Sequence, residues 1–80
     1  MINVGFGNSV NERHVISITV TGSSPSKRII SAARDNGLLV DATMGRKTRS
    51  VIVMNDGHVV ISSVGHEALA DRFRDAGING

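Results

Sequence analysis

The chain has 80 residues, a formal net charge of +2 and no cysteine. A chain of that length suits one small domain burying only roughly 60 to 65% of the surface its unfolded form exposes; without disulfides or thiolate metal sites, the missing stability is expected from a partner, most simply another copy of itself. No apolar run approaches the roughly 18 residues a bilayer span needs, and Met1 to Gly7 lacks the pattern of a secretion signal, so a soluble, cytoplasmic protein is expected.

Ile2, Asn3 and Val4 are predicted to form a short strand, with Gly5 and Gly7 turning the backbone sharply around Phe6. Gly5-Phe6-Gly7 lacks the third glycine of a dinucleotide-binding loop, since position 10 is Val10, and reads as a structural turn. Residues 8 to 12 read as loop. From Val15 to Val20, Ile16, Ile18 and Val20 alternate with Ser17, Thr19 and Thr21, the period-two pattern of a half-buried strand. Ser24 before Pro25 predicts a helix start, because the hydroxyl accepts from a free amide and proline suits the first helical position. That helix is expected to run to Asn36, with Ile29, Ala32, Ala33 and Asn36 on one side, Lys27, Ser31 and Arg34 on another, and Gly37 as its stop.

Residues 38 to 42 read as a strand, and 49 to 54 and 58 to 64 as two more. Asn55-Asp56-Gly57 joins the last two as a hairpin. Val51 and Val53 point one way in the first of them and Ile52 and Met54 the other. Two short helices are not expected to cover both sides of the sheet, so one apolar face is read as a subunit interface. A final amphipathic helix is predicted over Glu67 to Ala76, with Leu69, Phe73 and Ala76 facing inward, Gly77 at its end, and Arg72 and Arg74 alternating with Asp71 and Asp75 on a solvated face.

The most concentrated chemistry lies in Gly45-Arg46-Lys47-Thr48-Arg49, between Leu38-Leu39-Val40 and Val51-Ile52-Val53-Met54, which reads as a basic hairpin tip. No acid occurs from residue 42 to 54, so Arg46, Lys47 and Arg49 present undiluted positive charge, the footprint of phosphate recognition. The bland alternative is a soluble tip whose charges discourage aggregation. Arginine brings a planar fork for phosphate oxygens or guanine edges, lysine a point charge, and Gly45 a close backbone approach. Arg13, before the Val15 strand, and Arg28, near the first helix start, are further candidate contacts.

Phe6 and Phe73 are the only aromatics, too few for the stacking platforms of single-strand binders, which favours duplex DNA. His14, His58 and His66 are scattered and lack cysteine companions, so no metal site is expected. No spacing suggests a nucleophile elbow or an activated pair; neither catalytic residues nor a cofactor are expected.

Several segments together resemble one family. Asn3-Val4-Gly5-Phe6-Gly7-Asn8, Ile16-Ser17-Ile18, Pro25 to Arg28, Ala33-Arg34-Asp35, Asp41-Ala42-Thr43, Gly45 to Arg49 and Val51-Ile52-Val53-Met54 closely resemble the RemA-like extracellular-matrix regulatory proteins, in order and spacing, over about residues 2 to 73. The resemblance implies a bacterial DNA-binding transcriptional regulator with a LytTR-like α+β fold, assembled as a closed ring, that activates biofilm matrix operons and osmoprotection genes. It places the DNA contacts on Arg46 and Lys47, with Arg49 as a further candidate. Where the family usually has Asn-Arg-Met, this chain has Arg13-His14-Val15, so His14 takes the arginine's position; the family often has an aromatic residue at Met44 and a second arginine at Lys47.

The expectation is one α+β domain over residues 1–80, a small mainly antiparallel sheet with two helices, assembling into a homo-oligomeric ring. It is expected to bind double-stranded DNA through Arg46, Lys47, Arg49, Arg13, His14 and Arg28, with no membrane and no small-molecule substrate. The alternative is an oligomeric protein-interaction scaffold whose basic loop takes an acidic partner.

Overall fold

The computed structural model of the chain describes residues 1–75. Strands β1 (Ile2–Gly5) and β2 (Asn8–Val10) form an antiparallel hairpin, and a short 3₁₀ turn over Glu12–His14 leads into β3 (Val15–Val20). Helix α1 (Ser24–Asp35) crosses to β4 (Leu39–Asp41); β5 (Ser50–Met54), β6 (Val59–Ser62) and α2 (His66–Asp75) follow. The second sheet has the order β3-β5-β6-β4, with β4 parallel to β6 and the other pairs antiparallel. The described residues thus form a small, mainly antiparallel α+β fold with two helices. None of these helices is long and apolar enough to cross a membrane.

Alternation along β5 and β6 explains the layering. Val51, Val59 and Ile61 project to one face, where Ala33, Ile29 and Ile30 of α1 meet them; Ile52 and Val60 project to the other, against Leu69 and Phe73 of α2 and Ile2, Val4 and Val10 of the β1–β2 hairpin. Val51, Ile52, Val4 and Leu69 are fully buried. Both faces of β5 are therefore covered within one chain, contrary to the expectation of an open face. The cover missing from a two-helix count comes from the β1–β2 hairpin, half of which was expected to be loop: polar Asn8 and Ser9 in an exposed strand give no apolar alternation to read.

Other local differences have equally plain causes. The helix cap is Ser23, one residue before the expected serine: its Oγ accepts from the Ser26 amide at 3.3 Å, leaving Ser24 and Pro25 in the first turn. Ser26, Ile29, Ile30 and Ala33 form the inward stripe of α1, while Ala32 and Asn36 are exposed. A register shift falls between Val15 and Ser17; Ile18, opposite Ile52, packs on the core, while Ile16 at the irregularity is 65% exposed and Val20 at the strand's end 57% exposed on this edge strand. The Asn55-Asp56-Gly57 turn joins β5 to β6 as expected, with Gly57 at φ +95°. Leu69 and Phe73 face inward on α2 as expected; Ala76 and Gly77 lie outside the described residues.

Candidate nucleic-acid interface

The pairing of β4 with β6 changes what the basic segment is. Leu39–Asp41 and Ser50–Met54 are not neighbours, because β6 lies between them, so residues 42 to 49 form a crossover loop over the end of β6 and not a hairpin tip. Sequence proximity of the two apolar runs suggested a hairpin; parallel pairing carries no local signal. The loop is tied down at both ends. The Ala42 amide donates to Ile61 O at 2.9 Å and the Arg49 amide to Ser62 O at 2.8 Å.

Its geometry follows from short-range chemistry. Asp41 Oδ1 accepts from the Thr43 hydroxyl at 2.6 Å and from the Thr43 amide at 2.9 Å. These bonds, the hydroxyl's first, hold the Asp41 carboxyl below the usual carboxylate range. Thr43 to Arg46 then close a tight turn, with the Arg46 amide donating to Thr43 O at 3.0 Å. Met44 and Gly45 are both left-handed, at φ +52° and +78°, the signs of a type I′ turn. Glycine takes that conformation freely and methionine does not, and the Met44 side chain is 71% exposed.

The tip of the β1–β2 hairpin lies beside this loop. Phe6 and Gly7 form a second turn of the same φ signs, at +52° and +79°, anchored by the Gly5 amide donating to Asn3 Oδ1 at 2.7 Å and by Asn8 Nδ2 donating to Gly5 O at 3.1 Å. The Arg46 guanidinium lies 5.4 Å from the centroid of the Phe6 ring.

Topology gathers positive potential at this end of the sheet. Strands β3, β4 and β6 all end here, so the helices that follow β3 and β6 both begin here, adding the partial positive charge of two helix N-termini. Ser26 Oγ donates to Val20 O at 2.6 Å and Thr21 Oγ1 to Thr48 O at 3.2 Å, fixing the start of α1 beside the loop. Lys47 and Arg49, with Thr21, Thr48, His66 and Glu67, line an open groove of about 520 Å³ at the start of α2.

Of the six candidate contacts, the structure brings four to this end: Arg46, Lys47 and Arg49 on the loop and Arg28 near the α1 start, all exposed. Arg13 and His14 are exposed at the opposite end, where β3 begins: His14 O accepts from the Asn55 amide at 2.7 Å and its Nδ1 from Asn55 Nδ2 at 3.2 Å. None of the six is in an ion pair among the described residues, whose side-chain pairs are His58 with Asp56 and Arg74 with Asp71. Sequence reasoning missed Phe6, whose glycine flanks signalled a turn but not what the ring would meet. No group of three histidines or acids among the described residues is arranged to hold a metal ion.

Comparison with known proteins bears out the family resemblance of the sequence. Residues 1–73 match the family model described as extracellular matrix regulatory protein A-like. The chain belongs to the RemA-like family. A relative from Carboxydothermus hydrogenoformans is 55% identical over 72 residues, covering 90% of this chain and 83% of its own. One from Acaryochloris marina is 56% identical over 73 residues, with 91% and 83% covered, and one from Brevibacillus brevis is 53% identical over 73 residues, with 91% and 85% covered. All three are provisionally named regulatory proteins.

Proposed function

We propose that this RemA-like protein is a cytoplasmic DNA-binding transcriptional regulator that grips the phosphate backbone of duplex DNA with the 42–49 loop, repeated around a ring of identical subunits. The observation that carries the reading is the loop itself: Arg46, Lys47 and Arg49 are exposed, without an acidic partner among the described residues, at the sheet end where both helices begin. Phosphates are the ligand such a surface suits, because the cations keep their donors and the helix termini favour anions. The groove lined by Lys47 and Arg49, with Glu67 on its α2 side, lies at the same end of the sheet as the Arg46 loop.

Support for the ring comes from the sheet edges instead of an uncovered face. Ile16 and Val20 are exposed on β3 at one edge, and Val40 is exposed on β4 at the other. Apolar residues on two different surfaces of one chain favour head-to-tail contact, and such contacts close into rings when the rotation permits. One protomer offers few cations; linked protomers raise effective concentration and let DNA bend around the particle. By family resemblance the fold is related to the LytTR-type DNA-binding domain, and the regulated genes are biofilm matrix and osmoprotection operons.

The test pairs solution mass with binding. Light scattering should give a multiple of the chain mass that Val20→Asp lowers, and the parent oligomer should shift duplex DNA in a gel while leaving an acidic polypeptide unbound. A monomer mass would remove the ring, and binding of the acidic polypeptide without DNA would make the loop a protein-docking site.

A further inference from the structure

The Gly5-Phe6-Gly7 turn carries a ring, that of Phe6, over which the Arg46 guanidinium lies. We propose that Phe6 is a positioning residue, a ring platform that orients the Arg46 guanidinium for the phosphate without occupying its donors. This inference rests on the DNA-binding reading above.

The platform itself is fixed. Phe6 is held left-handed between two glycines, and its turn is closed by the Asn3 and Asn8 side chains. Behind it, Ser62 Oγ of β6 donates to Val4 O, and a Cβ added at Gly5 would lie 3.3 Å from Val64 Cγ2, so the hairpin cannot slide away from the sheet without breaking packed contacts. The ring is 45% exposed, where burial would normally be favoured for a phenylalanine. A left-handed, exposed aromatic residue is conformationally costly, and the Arg46 guanidinium lies over its ring.

A ring is the right support for an arginine that must bind an anion. At 5.4 Å from the centroid the guanidinium lies within cation–π range. The face of the ring attracts the cation without consuming an N–H donor, so the planar fork stays available for phosphate oxygens, whereas a carboxylate partner would both neutralise it and occupy the fork. The contact also removes rotamer freedom before binding, so less is lost when DNA arrives. Arg74 shows the contrary arrangement, with Nη1 donating to Asp71 Oδ1 at 2.8 Å.

A double-substitution cycle on the full chain tests this, with binding to a short duplex read by fluorescence anisotropy. Phe6→Leu should weaken binding about two- to fivefold per engaged loop, the span of an exposed cation–π contact, and Phe6→Trp should restore or improve it. In an Arg46→Ala background Phe6→Leu should have no further effect, an outcome that a purely structural role would not give. Arg46 side-chain protons should also show a ring-current shift in the free protein that Phe6→Leu abolishes. Equal loss from Phe6→Leu in both backgrounds, or parent-like binding by Phe6→Leu when Arg46→Ala is weak, would overturn the positioning role. Parent-like binding by Arg46→Ala would instead overturn the DNA-binding reading, while a missing ring-current shift would overturn the contact alone.

Discussion

The loop between β4 and β5 carries three cations and helix α2 two, and the two regions hold them differently. On α2, Arg74 is paired with Asp71 and Arg72 Nη1 donates to Asn3 O at 2.7 Å, tying the helix to β1. On the loop, Arg46, Lys47 and Arg49 have no such partners among the described residues, and Arg46 rests on an uncharged ring. Cation count alone does not separate the two regions. What separates them is whether the donors are already engaged: those of α2 hold the fold, while those of the loop are left open among the described residues.

The contrast is broken most severely at the core beneath α2. Leu69 is fully buried, and Leu69→Ala should cost about 2–5 kcal/mol in urea denaturation, whereas alanine at Lys47 should cost less than about 0.5 kcal/mol. A smaller Leu69 effect would mean α2 is not the anchored element. Binding should show the reverse order. Arg46→Ala should weaken duplex binding by at least about tenfold, since each subunit loses a charge-assisted contact and the losses multiply across the bound arc. Arg74→Ala, measured alongside, should bind like the parent and lose under about 1 kcal/mol of stability, as expected for an exposed ion pair.

Gly45→Ala sharpens the comparison from the backbone side. At φ +78° it should destabilise the chain by about 1 kcal/mol and weaken DNA binding too, because the turn that presents Arg46 is disturbed. An unchanged melting temperature would show that the turn tolerates a Cβ. The smallest effect belongs to acid. The folded pKa of Asp41 is depressed by Thr43, so this anchor contributes above the ordinary carboxylate value of 3.8 and is lost as pH falls through the lower folded value. The Thr43 amide resonance should follow that titration, and Asp41→Asn should abolish it.

How much of this was readable without the structure depends on whether the signal was local. The Asn55-Asp56-Gly57 hairpin, the Pro25 helix start and the Leu69 and Phe73 stripe are written in adjacent residues, and all three occur. The partner of β4 is not: β6 lies some twenty residues further along the chain, and nothing in Leu39–Asp41 says whether it pairs with β5 or β6. The polar β2 hid the hairpin, and nothing within Val15–Val20 marks β3 as an edge strand. For the site, the loop cations were legible as unneutralised charge. Their meeting with two helix starts and with Phe6, and the separation of Arg13 and His14 to the far end, follow only from the strand order.

The most direct test of phosphate gripping by the loop is the salt dependence of duplex binding by the parent and by Arg46→Ala. The logarithm of the binding constant should fall linearly with the logarithm of salt concentration, with a slope of about 0.9 per phosphate contacted, steep for the parent oligomer and shallower for the variant. A parent slope near zero, or an identical slope in Arg46→Ala, would contradict it.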